Sequence, residues 1–373
     1  MNLLGIDIGG SGSRVALVVG GAGGAGGAGG AGGARGARGA GGALVVGGAG
    51  GAGGAGTRLE LTGERAGVTA GGSSVPETAL ALVRAARQAW PDETDAIAGI
   101  GLGATGLGTL VRDPAAFASA LAQAVVDAPA PRPNEQPGPP PEPHRHPQPR
   151  PRVAIAIDAV TAHLGALAGR PGAIVALGTG VIGFGTDGDG VWRRVDGWGH
   201  LLGDRGGGAW IGQRGLEAAL RTYDGLDTAG AALLDAAKAR FGAPETWPAQ
   251  LYTRDDRAGV LASFAPDVAE AAASGDSAAG DILARAGTEA ARTGLAALHP
   301  SLPPRLAATG GLLAAGGRLV SAFRDTVAAE RPDVDLVDPA GDPLDGALLL
   351  AERAVTGAVR THSPYVWLAE RSA

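Results

Sequence analysis

The sequence predicts an α/β protein of two related halves, each built on a mixed sheet. Three observations predict it. A buried strand, a glycine-rich turn and a returning strand occupy residues 3–19, and the pattern recurs at residues 173–185. Short apolar runs alternate with helical spacing along much of the chain. The 373 residues include two low-complexity stretches, 20–56 and 129–151, and the remainder suffices for two domains of roughly 150 residues each.

The elements follow in order. Leu3–Ile8 reads as a strand, Gly9–Ser13 as a tight turn and Arg14–Val19 as the returning strand. The next 37 residues, Gly20–Gly56, hold 21 Gly and 11 Ala, so ordering them is costly and they bury little. They read as a mobile hairpin loop, with Ala43–Val46 the only hint of a strand, leading to a third strand at Arg58–Thr62. Pro76–Trp90 has helical spacing, Ala96–Gly103 reads as a strand, and Asp113–Val126 as a helix with proline at its start. Pro129–Pro151, with 11 of the 25 prolines, reads as a semi-rigid linker. Its His144 and His146 lack a third ligand nearby and are read as inert. Beyond it come a strand at Val153–Ile157, a helix at Thr161–Ala168 and strands at Ala173–Leu177 and Val181–Gly185. Gly206–Leu298 is mostly helical. A strand at Arg305–Thr309, a helix at Leu312–Glu330, a strand at Val334–Val337 and a helix at Pro343–Val359 close the chain. The expected organisation is a first lobe at 1–127, a linker at 128–151, a second lobe at 152–342 and a final segment, 343–373, whose helix packs back on the first lobe.

Composition removes several functions. With no cysteine there is no disulfide framework, thiolate zinc site, iron–sulfur cluster or cysteine nucleophile. The only lysine, Lys238, sits in a helical context, so neither a Walker A loop nor a protein-kinase strand lysine can be built. A net charge of −6 gives no reason to expect nucleic acid. No apolar run is long enough for a membrane span, and no secretory signal is read, so the cytoplasm is the expected location.

Five motifs carry chemistry. Asp7, at a strand end facing the turn Gly9, Gly10, Ser11, Gly12 and Ser13, suits a hydrated Mg2+ while amides and hydroxyls meet phosphate oxygens. Gly178-Thr179-Gly180 repeats that turn in the second half. Asp158 ends a buried strand where open α/β sheets bind ligands; it reads as a general base or as a helix N-cap. The stretch Asp196–Gly212 sets Trp198, His200 and Asp204 among glycines, a combination suited to a sugar ring. Gly310-Gly311 lets backbone approach a flat ring or a phosphate. Gly101, Gly103 and Gly106 fit a dinucleotide fingerprint, but the helix and acid that should follow are misplaced.

Together these residues resemble the actin-like ATPase and sugar kinase superfamily, and within it the BadF/BadG/BcrA/BcrD-type group that contains N-acetylglucosamine and glucosamine kinases. The most specific parts are Ala176–Gly180, Gly197–Asp204 and Gly208–Gly212. The resemblance implies two ribonuclease-H-like lobes closing on ATP and sugar in a cleft between them. It implies a first phosphate loop of Asp7, Gly9, Gly10, Ser11 and Ser13, with Asp7 positioning Mg2+ through water. Gly178, Thr179 and Gly180 would form the second loop, and Gly310 and Gly311 would line the adenosine site. Asp158 would be the catalytic base, and Trp198, Gly199, Asp204 and Thr105 would bind the sugar.

The sequence departs from that family at Arg205, where Glu is usual, and at Val181 and Ile182, where animal relatives carry Ser and Asn. Residues 68–74 also lack the Asn that a first-lobe loop often supplies. These departures bear on which sugar is used. The expected function is an ATP-dependent amino-sugar kinase acting on N-acetylglucosamine or glucosamine at the 6-hydroxyl. A non-catalytic sensor of the same fold and a dinucleotide-binding enzyme are the alternatives. The expected partner is a small-molecule amino sugar, with a homodimer allowed for.

Overall fold

The computed structural model describes residues 1–10, 12–20, 46–47, 57–69, 72–126 and 150–370. They divide into two units. One comprises Met1–Gly169 with Ala340–Ala373, the other Arg170–Pro339.

Period-two alternation organises the first unit. Its seven-stranded sheet runs in the order Val366–Leu368, Arg152–Ile157, Ile97–Ala104, Asn2–Ile8, Ser13–Val19, Thr57–Gly63, Val46–Gly47. The strands 2–8, 97–104 and 152–157 are parallel, and the others are antiparallel to their neighbours. Leu4, Ile6, Ile8, Ile100 and Leu102 share one face and join a core with the helices Val75–Ala89 and Pro114–Val126. Glycines occupy the opposite face, beneath the closing helix Pro343–Thr356. A Cβ at Gly101 would lie 1.9 Å from the Ala347 carbonyl oxygen, and one at Gly99 2.5 Å from Val355. The helix therefore rests on bare strand backbone. Helix Asp158–Ala166 meets the closing helix just as closely, since a Cβ at Gly346 would lie 1.8 Å from the Thr161 carbonyl oxygen.

The second unit has a five-stranded sheet in the order Trp192–Asp196, Val181–Thr186, Gly172–Leu177, Arg305–Thr309, Asp335–Val337. The first three form an antiparallel meander, and the last two run parallel to Gly172–Leu177. Helix Ser277–Ala297 sits against Gly183 and Gly185, whose added Cβ atoms would lie 2.6 and 2.2 Å from the Thr293 and Ala297 carbonyl oxygens. Leu177, Val181, Ile211, Phe264 and Leu306 are among the residues that fill the core. No helix among the described residues is long and apolar enough to cross a membrane.

Several expectations need correction. The second lobe does not begin at residue 152. Strand Arg152–Ile157 pairs with Ile97–Ala104 in the first sheet, and the units divide after Gly169 and Pro339. The proline-rich stretch thus has the same unit on both sides of it. The helix expected from Thr161 starts at Asp158, and the one expected over 312–330 is broken at Gly316 and Gly317, both at positive φ. The closing helix stops at Thr356, where Gly357 adopts the left-handed conformation of a C-terminal cap. Strands Trp192–Asp196 and Val366–Leu368 were not anticipated. Ser11, most of the tract 20–56, and His144 and His146 lie outside the described residues.

Candidate active site

In the first unit, strand register assembles the candidate residues. Ile8 pairs with Ala104, and Ala104 with Ile157. Gly9, Thr105 and Asp158 are therefore the first residues beyond three adjacent parallel strands, roughly 5 Å from strand to strand. The carboxyl ends of parallel strands are where open α/β sheets bind ligands. The Thr105 amide donates to the Ile8 carbonyl at 3.0 Å, which ties the two strand ends together. Asp158 opens its helix as the first helical residue, with Ile157 as the N-cap, so the N-cap reading fails. Its Oδ1 accepts from the Ala159 amide at 2.9 Å.

The hairpin is closed by the Gly9 amide donating to Gly12 at 2.9 Å. Gly10 is exposed, with nothing near its absent Cβ. Ser13 does not fit its expected role. It is buried, and its hydroxyl donates to the Glu64 carbonyl at 2.6 Å, so its one proton is not available to a phosphate.

Asp7 stands opposite Arg14 across the hairpin. Arg14 Nη2 donates to Asp7 Oδ2 at 2.9 Å, while Nη1 donates to Asp342 Oδ2 at 2.6 Å. Burial pushes the Asp7 carboxyl above its usual range, against the pull of Arg14. Asp342 is also raised by burial, but the Asp345 amide and Arg14 outweigh this and hold it low. Its Oδ1 caps the closing helix by accepting from Leu344 and Asp345. The sequence reading missed both Arg14 and Asp342, although Arg14 directly follows the turn.

Among the described residues no group of three or more carboxylates and histidines could hold a metal alone. A single carboxylate fits Mg2+ bound mainly to phosphates, because Mg2+ keeps several waters and needs only one or two protein carboxylates. Arg14 occupies Oδ2 of Asp7, and no described residue bonds Oδ1.

In the second unit, Gly178–Gly180 is closed by the Gly178 amide donating to Gly180 at 2.9 Å. The first amides of helix Gly208–Tyr223 dock on it. Gly208 donates to Gly178 at 2.8 Å and Ala209 to Thr179 at 2.9 Å. Gly178 and Thr179 remain exposed. Asp204 lies against the same turn, since a Cβ at Gly180 would be 2.1 Å from Asp204 Oδ2. Thr309 pairs with Ala176, so the parallel register sets Gly310 and Gly311 beside Leu177 and Gly178. Gly310 also has a packing role: its φ is +108°, and a Cβ would lie 2.1 Å from the Leu177 carbonyl oxygen.

Asp204 and Asp196 both adopt positive φ, an uncommon state for residues other than glycine. They cinch one loop. Asp196 Oδ1 accepts from the Asp204 amide at 2.8 Å, and Asp204 Oδ1 accepts from the Gly199 amide at 3.1 Å. Burial raises the Asp204 carboxyl above its usual range, and the Asp196 charge adds to this. Trp198 is 67% exposed, with the Arg194 guanidinium 4.9 Å from its ring centroid. Arg194 also donates to the carbonyls of Asp196 and Gly197. Only the fold reveals Arg194, because it lies on a strand the sequence did not announce. Burial and Arg257 keep the His200 imidazole below its usual range. The fingerprint-like Gly101 and Gly103 are explained by packing, as both lie in direct contact with helices.

The profile of the BadF/BadG/BcrA/BcrD ATPase family matches residues 4–351. An N-acetylmuramic acid/N-acetylglucosamine kinase of Clostridium acetobutylicum is 43% identical over 67 residues. That match spans 18% of this chain and 22% of the relative. A solved structure of a candidate N-acetylglucosamine kinase from Chromobacterium violaceum is 27% identical, with a TM-score of 0.58 over 94% of this chain and 98% of that one. A second such candidate, from Porphyromonas gingivalis, is 14% identical, with a TM-score of 0.59 over 93% and 98% of the two chains. The shared fold is that of the actin-like ATPases.

Proposed function

We propose that this chain, which belongs to the BadF/BadG/BcrA/BcrD ATPase family, transfers the γ-phosphoryl group of ATP to an amino sugar. The observation that supports this most is the register placing Asp158, Thr105 and the Gly9 hairpin side by side at the carboxyl ends of three parallel strands. The glycine turns bring bare backbone to the phosphates, which suits a protein without a phosphate-binding lysine. Mg2+ bound with the nucleotide supplies charge neutralisation, and Asp7 is the residue that would hold its water shell. Asp158 accepts the proton of the sugar hydroxyl, read as that at C6. Thr105 donates to or accepts from a neighbouring sugar hydroxyl. Asp204, Trp198 and Gly199 hold the sugar ring, and Gly310 and Gly311 the adenosine. Catalysis is then mostly positioning and electrostatics. The solved and named relatives support N-acetylglucosamine-type acceptors, and the cytoplasm, where ATP is abundant, is the proposed location.

The test is ADP release by the full chain with Mg2+ and ATP, across glucosamine, N-acetylglucosamine, N-acetylmuramic acid and glucose. Release stimulated by an amino sugar is expected. Sugar binding without any ADP release would replace the kinase by a sensor.

A further inference from the structure

Asp196 is the last residue of the edge strand Trp192–Asp196, where it pairs with Ile182. The chain leaves the sheet there and comes back to it at Asp204, so the loop with Trp198 and Gly199 is strung between two carboxylates. Asp196 has a φ of +60°, a conformation that glycine adopts freely and other residues rarely. Its side chain shows what that conformation gains. Oδ1 accepts from the Asp204 amide at 2.8 Å, although eight residues separate the two. Gly203 leaves room for this bond, since a Cβ there would lie 2.2 Å from the same oxygen. Arg194 secures the near end of the loop by donating to the Asp196 and Gly197 carbonyls. Asp204 is itself at a φ of +56°. With its backbone held there, its Oδ1 accepts from the Gly199 amide at 3.1 Å and its Oδ2 lies against Gly180. The Val181 amide donates to it as well. Two amides take two of roughly four lone-pair sites on a carboxylate, and the others remain for hydroxyl groups.

We propose that Asp196 is a positioning residue for the acceptor sugar: its Oδ1 holds the Asp204 backbone so that the Asp204 carboxylate is set before the sugar arrives. This inference rests on the reading of Asp204 as a sugar ligand, and it gives Asp196 no contact with the sugar. A group fixed in advance loses little freedom on binding, so releasing it weakens sugar binding and shows in KM. The backbone separates this role from a purely structural one. Glycine suits a φ of +60° better than aspartate does, so Asp196→Gly relieves the backbone while it removes the bond to Asp204. Asparagine also tolerates this conformation and keeps an acceptor oxygen.

The test is ADP release by the full chain, beside thermal unfolding, with whichever of glucosamine, N-acetylglucosamine, N-acetylmuramic acid and glucose has the lowest KM. Asp196→Gly is expected to raise the KM for that sugar at least about fivefold, with kcat at saturating sugar within about threefold and Tm within about 3 °C of the unaltered protein. Asp196→Asn is expected to keep the sugar KM within about twofold. A smaller rise in KM for the Gly variant overturns the proposal, and so does an Asn variant that leaves the twofold range. A larger fall in kcat or Tm makes Asp196 a structural residue and overturns it too. Asp204→Asn tells the two readings apart. If it raises the sugar KM while Asp196→Gly does not, Asp204 stands as the sugar ligand and the positioning role falls. If it leaves the sugar KM unchanged, Asp204 is not a sugar ligand, and the positioning role falls with that reading.

Discussion

The same substitution at two glycines of the first unit should have opposite consequences. At Gly101 an added Cβ would lie 1.9 Å from the Ala347 carbonyl oxygen and 2.6 Å from the Ala351 amide nitrogen. Ordinary contact would require roughly 1.5 Å of movement. The obstacle is helix backbone, so no side chain can rotate away. The closing helix is also seated on Gly5 and Gly99, which resist its lifting. Overpacking costs about 1–3 kcal/mol, and a backbone obstacle places Gly101→Ala near 3 kcal/mol. For a unit of this size that lowers Tm by about 6–12 °C. At Gly10 there is nothing within reach of a Cβ and φ is not in the left-handed region. Gly10→Ala should keep stability within about 1 kcal/mol. If phosphates approach this turn, the methyl group occupies their path, and KM for ATP should rise about tenfold. Thermal unfolding by circular dichroism and ATP titration of ADP release measure the two effects. A Gly101→Ala protein with an unchanged Tm would refute the backbone contact, and a Gly10→Ala protein with unchanged KM would refute the phosphate role.

Three other outcomes are expected. Asp158→Asn should lower kcat by about a hundred- to ten-thousand-fold, with unfolding unchanged, and near-normal turnover would remove Asp158 as the base. Asp204 has a carboxyl raised by burial, so the folded state holds its proton more tightly than the unfolded state does. Its ionisation therefore destabilises the fold as pH rises from the ordinary carboxylate value through the raised one. Asp204→Asn keeps an acceptor for the Gly199 amide, so Tm of the variant minus that of the unaltered protein should grow as pH rises above the ordinary carboxylate range, while sugar KM rises; a flat difference contradicts the burial. Val19 and Thr57 are direct antiparallel partners, so an Asn-Gly turn replacing residues 20–56 should join them and leave both Tm and ADP release intact. Loss of activity in the folded deletion would give the tract a role.

Glycine shows how far the sequence could be read. The excess outside the 20–56 tract suggests backbone approaching phosphate and sugar. Gly9, Gly10, Gly178 and Gly311 have open space or only ordinary contact where a Cβ would stand. Gly99, Gly101, Gly165, Gly183, Gly185, Gly287 and Gly346 instead lie against helix backbone. A turn glycine is legible because the strands flanking it alternate around it. A packing glycine depends on which helix arrives from elsewhere in the chain. For Gly101 that helix begins more than 240 residues later, at Pro343. The first unit's boundary was hidden for the same reason. A proline-rich stretch looks like a border between lobes, yet pairing of 97–104 with 152–157 puts both its flanks in one sheet. Among the proposed site residues, Asp7, Asp158 and Asp204 stand out in the sequence because each ends a strand or interrupts a glycine run. Arg14, Arg194 and Asp342 do not, since what marks them is the partner each meets. Arg14 shows how little the chain itself gives away: its position beside the turn was visible, but the carboxylates it joins lie 7 and 328 residues from it. Long-range pairing of this kind fixes how the acidic groups are held, and so the part of the chemistry that local pattern leaves unspecified.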